Sequence, residues 1–250
     1  MKIAVLNDTH CGIRNSSEIF LENSAKFYKE VFFPACEERG IEQILHLGDY
    51  YDHRKFVNFK ALNHNRRIFL DQIRKRGMSM DIIPGNHDTF YKNTNELNSL
   101  KECLGHYMNE VHIIMEPTIM HYDSLKIGLV PWICHDNYEL CMNFIRDCKA
   151  DWLGAHLELN GFEFALGIKS THGMDAKLFS KFEQVISGHF HTASQQGNIW
   201  YLGNPMEFFW SDAHDPKYFH ILDTETREIE KIRNNYTLFE KIVYNDKEID

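Results

Sequence analysis

The chain has 250 residues, 43% hydrophobic and 25% charged, a composition of soluble globular proteins and enough chain for one substantial core. Twenty-seven basic against 36 acidic residues leave a formal net charge of −9, which excludes a uniformly basic surface holding nucleic acid by charge alone. No uncharged apolar run approaches the roughly 18 residues of a membrane span, and the first residues lack a signal-like apolar region, so a cytoplasmic protein with no membrane association is expected.

Taken in chain order, short apolar runs alternate with longer amphipathic stretches, the pattern of a layered α/β fold. Residues 2–7 (KIAVLN) read as a buried strand, 16–39 as a helix with cap candidates at Asn15 to Ser17 and a stop at Gly40, and 41–47 as a second strand. A helix over 58–76 closed by Gly77 and a strand over 78–83 ended by Pro84 and Gly85 complete two crossovers, which imply a parallel central sheet. A polar helix-like stretch follows over 94–104. Strands are predicted over 111–115, 119–122 and 125–130, the last two joined by a turn at Asp123 and Ser124, and a helix over 137–149. Further strands are predicted over 151–155, 183–186, 199–202, 218–222, 228–233 and 238–243. No repeat or flexible linker interrupts this order, so one domain with two halves is expected. The six cysteines, without a Cys-x-x-Cys pair, read as reduced thiols; Cys134, Cys141 and Cys148 recur every seven residues, as core residues on one helical face would.

The informative residues follow the strands. Asp8 and His10 come after KIAVLN, Asp49 after ILHLG, Asn86 and His87 after DIIPG, His156 ends DWLGA, and His189 and His191 follow QVISG. In an open α/β sheet the crevice at the strand carboxyl ends is where loops converge over rigid elements, so five segments deliver polar groups to one edge. Each motif alone has a bland reading as a turn, a cap or a hydrogen-bonded core histidine; their joint occurrence in this order does not. Imidazole nitrogens with carboxylate and amide oxygens, and no thiolates, suit a two-metal centre with Asp49 as the bridge. Such a centre hydrolyses phosphoesters through a hydroxide held between ions about 3.5–4 Å apart.

The series Asp8-x-His10, Gly48-Asp49-x-x-Asp52, Gly85-Asn86-His87-Asp88, His156 and Gly188-His189-x-His191 resembles the calcineurin-like metallophosphoesterase superfamily. The stretches GDYYDHRKF, GAHLELNGFEF, GHFHTAS and YLGNP resemble the SbcD-type DNA nuclease subunits within it, closest to those of phage recombination, and the likeness runs from Met1 to about Tyr244. The resemblance implies a four-layer α-β-β-α sandwich, two mixed sheets flanked by helices. It implies a first metal on Asp8, His10, Asp49 and His191 and a second on Asp49, Asn86, His156 and His189. Manganese is the expected ion, with magnesium, iron and zinc as alternatives. His87 is implied as the histidine that meets the phosphate and helps the leaving oxygen depart, and Asp88 as the carboxylate orienting it. Relatives often have a histidine three residues after the bridging aspartate; here that position is Asp52 and His53 follows, so both are catalytic candidates.

Between Arg54 and Arg76 lie eight basic residues and one acidic residue. Arg54, Lys55 and Lys60, with Phe56 and Phe59 interleaved, are the expected grip on a DNA backbone; Arg74 to Arg76 read as a cationic helix end. The resemblance implies a DNA nuclease of recombination or repair working with an SbcC-type coiled-coil ATPase, and a homodimer formed through the helices over 16–39 and 58–76. The alternatives are a phosphatase or small-molecule phosphodiesterase, and an inactive scaffold. A nuclease domain over 1–245 with a tail over 246–250 is expected, without the capping and ATPase-docking segments of relatives.

Overall fold

The computed structural model of the protein describes residues 1–243; the expected boundary at 245 and the tail over 246–250 lie outside the described residues. In chain order the elements are β1 (Lys2–Leu6), helix α1 (18–38), β2 (Gln43–His46), helix α2 (59–75), β3 (Ser79–Ile82), α3 (Ser99–Cys103), β4 (Val111–Ile113), β5 (Thr118–Tyr122) and β6 (Leu125–Val130). There follow α4 (Tyr138–Asp147), β7 (Trp152–His156), β8 (Glu163–Ala165), β9 (Ile168–Lys169), β10 (Gln184–Gly188), β11 (Ser194–Gln196), β12 (Ile199–Tyr201), β13 (Lys217–Asp223) and β14 (Ile229–Asn234).

Among the described residues the strands form two six-stranded mixed sheets, ordered β14-β13-β1-β2-β3-β4 and β11-β12-β10-β7-β6-β5, with β8 and β9 as a separate hairpin. The cores β1-β2-β3-β4 and β12-β10-β7-β6 are parallel, and antiparallel strands complete each sheet. Alternation along each strand sorts its side chains between two layers. From β1 and β2, Ile3, Val5 and Leu45 join Ile127, Leu129 and Ile186 of the other sheet in the core between the sheets. Ala4, Leu6 and Ile44 face the other way, onto Phe27, Phe32 and Phe33 of α1 and Phe69 of α2. On the far side Cys141 and Ile145 of α4 pack on Leu153, Ala155 and Val185. Four layers result, because both sheets are apolar on both faces and each needs a helical cover.

Four details differ from the sequence reading. The first helix begins at Glu18, not Ser16, because Asn15 and Ser16 take left-handed φ values of 56° and 59°. Only Ser99–Cys103 of the stretch over 94–104 is helical, starting where the Asn98 carboxamide accepts the Lys101 N–H at 3.0 Å. Residues 238–243 form no strand: the N–H groups of Leu238 and Phe239 donate to the Glu207 carboxylate, at 2.5 and 2.9 Å, in place of a ladder. Of the three evenly spaced cysteines only Cys141 lies within α4, although all three are buried and unbridged. The helix over 59–75 starts as read, with Asn58 accepting the Lys60 N–H at 2.8 Å.

Candidate metal centre

The carboxyl ends of β1, β2, β3, β7 and β10 lie side by side, because these strands run parallel within their sheets and the sheets pack face to face. Asp8, His10, Asp49 and His189 hold positive φ values of 49°, 43°, 54° and 88°. Left-handed backbone at a non-glycine residue costs on the order of 1–3 kcal/mol, so four such residues in one cluster mark a place where aiming the side chains outweighs local strain. Glycine is required between them. A Cβ on Gly85 would collide with the Asp49 carboxylate, and one on Gly48, at φ 92°, would lie 2.7 Å from His156 Nδ1.

Three overlapping groups of donors converge, the ligand atoms within each lying no more than 4.8 Å apart: Asp8, His10 and His191; Asp49, His156 and His189; and His10, Asp52 and His87. Asp49 Oδ2 is 3.9 Å from His10 Nε2 and 3.3 Å from His156 Nε2, so this one carboxylate faces both of the first two groups. Asn86 Oδ1 lies 3.0 Å from His156 Nε2 and 2.9 Å from His189 Nδ1. All seven residues implied as ligands are thus brought together.

The lone pairs test whether these residues suit a cation. His156 Nδ1 lies 2.8 Å from the carbonyl of Leu47, which can only accept, so that nitrogen carries the proton. Its Nε2 then faces the Asp49 oxygen at 3.3 Å, a pair that needs a proton or a cation between its atoms. Likewise His10 Nε2 faces His191 Nε2 at 3.0 Å. Lone pairs aimed at one another repel unless a cation or proton lies between them, so the donor set fits divalent ions.

The charges of the cluster are coupled. Burial alone would raise the Asp49 carboxyl, but the adjacent His156 holds it well below the usual carboxylate range. Burial would lower His156, yet the Asp49 charge lifts it to about 9. Burial and then the neighbouring His156 push His189 down to about 3, and burial followed by His10 holds His191 well below the ordinary imidazole value. His189 and His191 are thus neutral imidazoles, the ligand form of histidine, whereas His156 holds a proton that a divalent ion would displace.

The other oxygens of these carboxylates hold the backbone. Asp49 Oδ1 accepts the His87 N–H at 2.7 Å, and Asp8 accepts the His189 N–H at 2.9 Å and the Asn7 carboxamide at 2.6 Å. The expected orienting role of Asp88 is not what its contacts show: its buried carboxylate accepts N–H groups of Tyr50, Tyr51 and Gly85 at 2.9–3.3 Å, tying the Asp49 loop to the Asn86 loop. Instead His87 Nδ1 donates to the carbonyl of Asp52 at 2.6 Å, and the Asp52 carboxylate is 3.4 Å from His10 Nδ1. Asp52 therefore orients His87 through its carbonyl and sets a carboxylate beside His10. His53 is exposed and stacks on Phe56 at 3.8 Å, outside the three donor groups.

Arg54 Nη1 lies 3.4 Å from the carbonyl of Thr89, beside the His87 loop, while Lys55 is exposed. Lys60 pairs with Glu18 at 3.3 Å, and Arg74 and Arg76 pair with Glu110 and Glu37. Three contributors were missed from the sequence. Trp132 packs its ring 5.9 Å from His156 and 5.4 Å from His189; it follows β6, so the rule that found the other motifs would have found it. Phe208 stands edge-on to His10 at 5.5 Å, and Lys217 donates to the carbonyl of His191 at 3.1 Å. Nothing local in the sequence marks these two.

Residues 1–193 match the family described as calcineurin-like phosphoesterase. The chain belongs to that family of metal-dependent phosphoesterases. It is 34% identical over 244 residues to exonuclease subunit 1 of Enterobacteria phage T4, covering 98% of this chain and 71% of the phage protein. Among solved structures it is similar to an archaeal phosphodiesterase, with 17% identity, a TM-score of 0.47 and coverage of 94% of this chain and 100% of that one. A purple acid phosphatase from yellow lupin (Lupinus luteus) seeds is similar at 10% identity and a TM-score of 0.47, over 92% of this chain and 52% of that one. Among the described residues no helix is long and apolar enough to cross a membrane.

Proposed function

We propose that the chain is a divalent-metal-dependent DNA nuclease that hydrolyses phosphodiesters, acting in recombination or repair in the cytoplasm of a bacterium or a phage-infected cell. The observation that carries this reading is the single carboxylate of Asp49 facing two donor groups, with His87 beside them. Its relation to a phage exonuclease subunit supports DNA as the substrate and a partner subunit, and the SbcD-like sequence stretches suggest an SbcC-type ATPase as that partner. The exposed faces of α1 and α2 are the surfaces for a second copy.

In this reading Asp8, His10, Asp49 and His191 hold one ion and Asp49, Asn86, His156 and His189 the other, with manganese as the favoured metal. When bound, the ions supply Lewis acidity at the phosphate and acidify a water. The protein's own residues do the rest. The Asp52 carbonyl fixes the proton on His87 Nδ1, which turns Nε2 towards the phosphate, and protonated Nε2 donates to the departing oxygen. Leu47 steadies His156, the Asp52 carboxylate faces His10, and Trp132 and Phe208 keep bulk water from the imidazoles. Arg54 and Lys55 hold the strand by its phosphates without reading its bases.

The test is a manganese-dependent assay comparing single-stranded DNA, duplex DNA and a phosphomonoester. The nuclease reading expects cleavage of DNA that chelation abolishes. Turnover confined to the monoester would replace it with a phosphatase.

A further inference from the structure

A groove of about 890 Å³ opens beside the donor cluster, with His189 and His191 at its inner end. Its outer wall is the β8–β9 hairpin, which belongs to neither large sheet and carries Phe164 and Ile168, 45% and 53% exposed. Apolar side chains left in water at the mouth of a polar site need a ligand that covers them. The Phe164 ring is two ring-to-ring steps from the cluster: 6.3 Å to Phe190, then 5.0 Å from Phe190 to His189. Phe190 is buried and stacked on Tyr201 at 4.6 Å, so the inner ring is fixed while Phe164 keeps an open face. Lys169, on the same hairpin, adds a cation to this wall, and Glu158 lies among the groove's lining residues.

We propose that this groove is a nucleobase subsite, in which Phe164 stacks the base of an unpaired nucleotide next to the scissile phosphate and Lys169 faces the neighbouring phosphate. The inference rests on the nuclease reading and narrows it. An aromatic ring beside a cation is how grooves for single-stranded nucleic acid hold bases irrespective of sequence. A base inside a duplex has both faces covered by its neighbours, so Phe164 selects a frayed or single strand. Continuity of the groove with His189 and His191 sets a nucleotide, rather than a partner protein, as the occupant.

The test compares a fluorescent single-stranded oligonucleotide with the same strand built from abasic residues, both cleaved in manganese by the full chain. The unchanged protein cleaves the base-bearing strand faster. Phe164→Ala lowers that preference roughly tenfold, within the range one base–aromatic stack contributes, and Phe164→Tyr restores it. Because Phe164 is half exposed, a thermal melt separates this effect from misfolding. An unchanged preference in Phe164→Ala, or an unchanged preference together with weakened capture of a coiled-coil ATPase, overturns the subsite and leaves the nuclease reading standing. Failure of the unchanged protein to cleave either strand overturns the subsite, and the nuclease reading falls with it only if duplex DNA is also left uncut.

Discussion

Lys217 donates to the main-chain carbonyl of His191 from a side chain only 4% exposed, and the same ammonium sits 3.1 Å from Asp212 and 2.7 Å from Asp215. Asp212 in turn accepts the N–H groups of Phe208 and Phe209 at 2.7 and 2.9 Å. One buried cation thus joins a histidine of the metal centre to the loop that packs Phe208 on His10. Replacing Lys217 with methionine strands two buried carboxylates, and we expect a stability loss on the order of 3–5 kcal/mol and weaker metal binding. Denaturant unfolding and metal titration measure the two; a variant as stable as the parent would show that the triad contributes nothing net.

His87 stands beside the two implied ligand sets without belonging to either, held through its N–H by Asp49 and its ring by Asp52. His87→Ala is expected to keep both ions, counted by elemental analysis of the dialysed protein, while turnover falls roughly 10²–10⁴-fold. Loss of metal together with activity would place His87 among the ligands instead.

Part of the basic stretch is paired. Lys60, Arg74 and Arg76 have carboxylate partners, whereas Arg54 leans on a carbonyl beside the site and Lys55 is exposed. Neutralising Arg54 and Lys55 together is expected to weaken DNA cleavage more than hydrolysis of a small chromogenic phosphodiester, and to flatten the salt dependence of DNA binding by about two phosphate contacts. Equal losses on both substrates would assign the pair to the chemistry rather than to the strand.

His220, on β13, is buried beside Trp200 at 5.4 Å, and neither ring nitrogen has a hydrogen-bond partner among the described residues. Burial, reinforced by Lys231, pushes its pKa down to about 3. The folded state therefore keeps it neutral while the unfolded chain takes up a proton below about pH 6.5, so stability falls as pH drops from there towards 3. This one group accounts for a loss on the order of 4 kcal/mol across that window. Unfolding of His220→Leu, followed between pH 7 and 4, should show a shallower decline than the parent; parallel curves would mean that the ring is protonated in the fold.

Strand identity and the edge that carries the chemistry were legible in the sequence, because parallel βαβ units confine functional groups to one end of each strand and apolar runs mark where strands stop. Asp8, Asp49, Asn86, His156 and His189 were found that way. The same logic failed at 238–243, where an apolar run finds its hydrogen bonds on Glu207 instead of a neighbouring strand. It misassigned Asp88, whose spacing from His87 suggests a partner but whose carboxylate is consumed by main-chain N–H groups across a loop.

What the sequence determined by itself is the set of donors, their order and the layered fold that gathers them, since these follow from local periodicity and side-chain type. Only the tertiary structure decided which ring nitrogen of His87 and of His156 carries a proton, and that Lys217 and Phe208 stand behind the site. Those depend on side-chain direction between segments as distant as residues 10 and 191, and no spacing along the chain encodes a direction in space.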